Sequence, residues 1–132
     1  MARLGEAWRR VLVRHGHRKK PSFFRLDYTP KQGDAVTVGF LRFSDGWWTF
    51  EYDAEYRRRP DLRPIEGFDD LNKIYRSRVL FPFFAVRVPD QDRHDIQRHL
   101  QKHKMVHPDE SDLLRAFGRR AAASPAFELV EA

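Results

Sequence analysis

The sequence predicts an α+β domain: a small antiparallel sheet with a central hairpin, packed by helices from the C-terminal half, plus an N-terminal amphipathic helix. Three observations carry that expectation. Between Ser22 and Asp53 apolar residues recur with a period near two on either side of Asp45-Gly46. From Leu80 onward, prolines and capping residues bound segments with helical spacing. Residues 1–20 place an apolar stripe among arginines. The 132 residues suit one core-forming domain, read as residues 21–132, preceded by a basic amphipathic extension over residues 1–20.

In that extension Leu4, Ala7, Trp8, Val11 and Leu12 follow the i, i+3, i+4, i+7, i+8 rule, while Arg3, Arg10 and Arg14 fall on another face. Seven bases stand there against one acid, Glu6, so the segment accounts for the whole formal net charge of +6. The body of the chain is therefore formally neutral, and the high isoelectric point belongs to the extension alone. Arg3, Trp8, Arg10, Leu12 and Arg14 are accordingly candidate partner-binding residues, whether the partner offers an apolar groove or a polyanion. The stripe equally suits packing on the domain's own sheet.

Phe23, Phe24, Leu26 and Tyr28 predict a strand ending before Thr29-Pro30, and Lys31-Gln32-Gly33-Asp34 a turn. Val36–Phe43 and Trp47–Asp53 are then two strands joined at Asp45-Gly46, a dipeptide suited to a type I′ turn because both central residues need positive φ. Counting outward from that turn pairs Ser44 with Trp47, Phe43 with Trp48, Leu41 with Phe50 and Gly39 with Tyr52. The last three pairs form an aromatic core layer. Val38, Phe40, Arg42, Thr49 and Glu51 fall on the opposite, mixed face.

Asp53 is placed to cap a short helix through Ala54-Glu55-Tyr56 that Pro60 ends. Arg57, Arg58 and Arg59, the densest basic triplet of the body, are further candidates for a phosphate or partner-carboxylate contact, although Glu55 and Asp61 flank them. Glu66–Lys73 reads as a polar loop, and Ile74-Tyr75 as a brief edge strand or helix start. Leu80–Pro89 is the most apolar run and predicts a buried helix with Pro82 in its first turn. Asp92–Lys104 predicts a second helix with Ile96, Leu100 and His103 on one stripe. Pro108–Phe117 predicts a third, acidic in its first turn and stopped by Gly118 at C′. Ala126–Val130 reads as a strand returning to the sheet.

Chemistry is sparse. The chain has no cysteine, which excludes disulfides and thiolate sites and suits a reducing cytoplasm. No apolar run approaches the roughly 18 residues of a membrane span, and no secretory signal is apparent, so a cytoplasmic protein without a membrane partner is expected. The phosphate-binding loop, the kinase His-Arg-Asp signature, the Gly-x-Ser-x-Gly elbow and His-Glu-x-x-His are all missing from the sequence. His99 and His103, at i and i+4 with Asp95 or His107 nearby, are the best arrangement for a metal, but His103 shares the apolar stripe and no metal site is assigned. Asp69-Asp70 and Asp90/Asp92 lie beside bases that would depress the raised pKa a general acid needs. No catalytic residue and no cofactor is expected, and the chain reads as a non-enzyme that acts by binding.

The stretch Val38-Gly39-Phe40-Leu41, Asp45-Gly46, Trp48-Thr49-Phe50-Glu51-Tyr52-Asp53 and Arg59-Pro60-Asp61-Leu62-Arg63-Pro64-Ile65 resembles the N-terminal lobe of the HipA family of serine/threonine kinases. The likeness continues through Phe81-Pro82-Phe83-Phe84, Val88-Pro89, Asp112-Leu113-Leu114 and Gly118-Arg119, so it covers Val36 to Val130. Glu66-Gly67-Phe68-Asp69-Asp70-Leu71 replaces the family's Ser-x-Ser-Leu-Pro-Leu segment, and Asp70 to Ala85 is similar to the region upstream of the HIRAN domain in some bacterial proteins. The family lobe has no counterpart of residues 1–20. The resemblance implies a non-catalytic, stand-alone lobe of the HipS type, which binds and restrains a HipA-like kinase in a toxin-antitoxin system. The HIRAN-like stretch and the basic arm imply the alternative, a nucleic-acid-associated module.

Overall fold

A computed structural model describes residues 21–132. Five strands, β1 (Ser22–Tyr28), β2 (Val36–Ser44), β3 (Trp47–Tyr52), β4 (Tyr75–Ser77) and β5 (Phe127–Glu131), form one sheet in the order β4-β3-β2-β1-β5. Every neighbouring pair is antiparallel. Among the described residues four short helices are interspersed: α1 (Ala54–Arg58), α2 (Pro82–Ala85), α3 (His94–Lys102) and α4 (Glu110–Phe117). The chain is thus α+β, with the β2–β3 hairpin central. The expected N-terminal helix lies outside the described residues.

The hairpin turns where the sequence places it. Asp45 and Gly46 have φ of 54° and 80°, and the register is Ser44↔Trp47, Phe43↔Trp48, Leu41↔Phe50 and Gly39↔Tyr52. Leu41, Trp48, Phe50 and Tyr52 are buried together with Phe24 and Leu26 of β1 and Leu129 of β5. Gly39 is required beside this layer, since a Cβ there would meet the Glu51 carbonyl oxygen at 2.4 Å and the Phe50 ring at 2.8 Å. Val38 departs from expectation: it is fully buried in the core instead of on the mixed face. The register of β1 against β2 shifts between Leu26 and Asp27, which pair with Gly39 and Thr37, so Val38 is the extra residue of a bulge and escapes strict alternation.

The covering layer is less helical than the sequence suggests. Leu80–Pro89 yields only α2, one turn with Pro82 at its start; Leu80 and Phe84 are buried, but Val86 is 67% exposed. Pro89 disfavours helix at Val88, and Arg87 has no apolar role: its guanidinium is buried against backbone carbonyls near the end of α4. Glu66–Lys73 lacks regular structure as expected, yet its Phe68 is almost wholly buried, packed on Phe50 and Phe84. Phe68 supplies a core side chain that the reading as a polar loop overlooks.

Helix α3 buries Ile96, whereas His103 is its exposed C-cap and not part of the stripe; Lys104, with φ of 53°, then ends the helix in the left-handed region. Helix α4 opens with a reciprocal capping box between Asp109 and Asp112 and buries Leu113 and Leu114. Gly118 closes it as the C-cap, with φ of −89° and not in the left-handed C′ geometry expected. The returning strand β5 pairs with β1, not with the hairpin.

Candidate partner-binding surfaces

The basic triplet sits at the end of α1, and α1 is fixed from both sides. Asp53 accepts from the Glu55 backbone N–H at 3.0 Å, and Tyr56 stacks on Tyr52 with ring centroids 5.5 Å apart. The Tyr56 hydroxyl donates to the Arg63 carbonyl at 2.5 Å, while the Tyr52 hydroxyl donates to Phe68 O at 2.6 Å and accepts from Ile65 N–H at 2.9 Å. These two phenols tie the 59–68 segment to the sheet, and burial pushes both of their pKa values above the ordinary one.

Arg57, Arg58 and Arg59 are all exposed. Arg59 is taken up by Asp61 in a two-pronged pair, Nε–Oδ1 2.9 Å and Nη2–Oδ2 2.7 Å, which lowers the Asp61 pKa. Arg57 and Arg58 have no acidic partner among the described residues. Arg58 and Arg59 border an open cleft of about 620 Å³ whose floor includes Val36, Thr37 and Leu62. The other candidates, Arg3, Trp8, Arg10, Leu12 and Arg14, lie outside the described residues. His99 and His103 have ring centroids 4.3 Å apart, but among the described residues no three His, Asp or Glu side chains are grouped to hold a metal.

A more apolar feature adjoins the cleft at Arg58 and Arg59, sharing Tyr56 and Leu62 with it. Two clefts, of about 490 and 430 Å³, share Glu66, Phe83 and Ser124 and so form one groove around the Phe83 ring. One side is walled by Tyr28, Ile65 and Phe127, the other by Phe68, Phe81 and Val86. Phe83 is held edge-on against Phe84 and Phe127, with centroids 5.2 and 5.5 Å away. Behind it the buried Arg87 donates from Nη1 to the Gly118 and Arg119 carbonyls at 3.2 and 3.1 Å, near the negative end of α4. Burial lowers the Arg87 pKa. The groove is a largely apolar slot lined also by Asp61, Arg63, Glu66 and Ser124, and apolar surfaces with a polar surround are the form taken by the centre of a protein interface. Sequence reasoning missed it because Phe83 was assigned to the interior of a buried helix. The available signal was Pro89, which limits how far a helix beginning at Pro82 can run.

Among the described residues no helix is long and apolar enough to cross a membrane. A family model described as the HipA N-terminal domain matches residues 33–123, more than half of the chain. No curated protein and no solved structure matches it.

Proposed function

Since the chain belongs to the HipA N-terminal domain family, we propose that it is a non-catalytic binding module of the HipS type that assembles with, and restrains, a HipA-like kinase in a toxin-antitoxin system. The observation that supports this reading best is the groove around Phe83. It offers apolar walls, a ring already locked in place, and an exposed Val86 on its rim. A preorganised apolar slot loses little entropy on docking and needs no chemistry of its own. The basic cleft at Arg58 and Arg59 is a secondary contact in this reading, suited to carboxylates at the rim of the interface.

The test is binding to a purified HipA-like kinase body by calorimetry. Val86→Asp and Phe83→Ala are expected to weaken the complex by about 30-fold or more each, the scale of an interface hot spot. Reversing Arg57 and Arg58 to Glu mainly slows association. Full affinity in both groove variants, with folding unchanged, rejects the groove. Saturable ATP binding by this chain alone rejects the non-catalytic reading.

A further inference from the structure

The hairpin presents its aromatic layer to the core, and its other face is open among the described residues. On that face Phe23 is 45% and Phe40 38% exposed. Phe23, Arg42, Thr49 and Arg76 stand in register across β1, β2, β3 and β4, and Arg25, Phe40 and Glu51 form the adjacent row. Rings and guanidinium groups therefore alternate over the surface. The Arg42 guanidinium lies 5.2 Å from the Phe23 ring, and those of Arg76 and Arg78 lie 4.0 and 4.1 Å from Trp47. Arg25 is committed to Asp27, but Arg42, Arg76 and Arg78 have no acidic partner among the described residues. Parked on ring faces, these three keep their N–H donors available without a neutralising carboxylate.

We propose that this open sheet face binds single-stranded nucleic acid, with bases stacked on Phe23 and Phe40 and backbone phosphates held by Arg42, Arg76 and Arg78. Three cations without an acidic partner among the described residues match a polyanion, and flat exposed rings match bases of any identity. Phe23 and Phe40 are diagonal neighbours on adjacent strands, about 7–8 Å apart by ordinary sheet geometry. That exceeds the ~3.4 Å base step of one strand in a duplex, so the platform fits splayed, unpaired bases and not a stacked helix. An acidic peptide would satisfy the arginines and leave the two rings unused. This inference is independent of the kinase-binding groove, which lies among Phe83, Phe127 and Val86.

The experiment is fluorescence anisotropy of the full chain with a labelled oligothymidylate of about 12 nucleotides, within the usual site sizes. Duplex of equal length and poly-glutamate serve as competitors. The Phe23→Leu/Phe40→Leu double variant keeps apolar bulk but removes the rings, and it should lose roughly 5- to 150-fold in affinity for each ring removed, with an unchanged melting temperature. Arg42→Gln, Arg76→Gln and Arg78→Gln should each make the log-log salt slope shallower by about 0.7. Val86→Asp should leave this binding intact, which separates it from kinase docking. Absence of binding overturns the proposal, as does affinity unmoved by the ring variant. Competition by duplex or poly-glutamate as effective as by the single strand also overturns it, assigning the cations to general anion attraction or to an acidic protein.

Discussion

The Tyr52 hydroxyl joins two segments thirteen and sixteen residues away, accepting from Ile65 N–H and donating to Phe68 O. Removing it by Tyr52→Phe strands two backbone groups in the interior, and the expected loss is about 1–3 kcal/mol in urea unfolding at neutral pH. The same residue gives an alkaline signature. Burial raises its pKa well above the ordinary 10.0, so below pH 10 the phenol is protonated in both folded and unfolded chains. Above it, the unfolded chain ionises while folded Tyr52 keeps its proton; the unfolded state then binds fewer protons, and stability falls as pH rises. Tyr56, shifted the same way, adds to the slope. Stability followed from pH 9 upward should decline in the wild type and less steeply in Tyr52→Phe; identical slopes would show that Tyr52 ionises freely. Nothing in the sequence pattern distinguishes Tyr52 from its aromatic neighbours as a polar anchor, because its partners are backbone groups of an irregular loop. Arg87 was illegible for a related reason: a cation in an apolar run reads as an interruption until the carbonyls at the end of α4 are seen around it.

Elements were legible where local chemistry alone decides them. Asp45-Gly46 sets the turn, the turn sets the register, and the register sets which side chains are core, so the chain of inference from Ser44↔Trp47 to Gly39↔Tyr52 needs no tertiary information. The cap at Asp53 is equally local, whereas Asp109, expected inside the first turn of a helix from Pro108, is instead the N-cap of a helix that starts at Glu110. Val38 and the Leu80–Pro89 run were misread because a bulge and a tertiary hydrogen-bond sink act on them from other elements. The groove around Phe83 was lost with that run, whereas Phe40 and Arg42 were on the correct face and lacked only the neighbouring Phe23 and Arg76 to define a surface. Phe50 shows how the elements converge: its ring lies 5.2 Å from Tyr52 on its own strand, 4.5 Å from Phe68 in the loop and 5.6 Å from Phe84 in α2. Phe50→Ala should therefore cost about 3–5 kcal/mol, with loop and helix loosened together. A melting curve close to wild type would mean that the hairpin and its cover are not one cooperative unit.

At the scale of the whole molecule, we propose that charge and core are divided along the chain, with the domain proper beginning at residue 21. The formal charge of +6 belongs to residues 1–20, while one buried cluster runs from Phe24 to Leu129 and closes through the pairing of β1 with β5. Among the described residues that cluster joins the sheet to Phe84 of α2 and Leu114 of α4. A chain beginning at residue 21 should consequently fold, with a melting temperature within a few degrees of the full protein, about the shift that 1 kcal/mol produces in a domain of this size. Binding should divide in the same way. If the kinase docks in the groove around Phe83, truncation leaves most of that affinity in place, and Trp8→Ala with Leu12→Ala has little effect in the full chain. If the arm provides the apolar anchor, that pair matters more than the groove variants and salt dependence stays shallow. If the arm instead holds phosphates, reversing Arg3, Arg10 and Arg14 lowers affinity for nucleic acid and flattens its steep decline with salt. Collapse of the truncated domain in the absence of any partner would show that the apolar stripe of residues 1–20 is part of the domain's own core, and the division at residue 20 would fall.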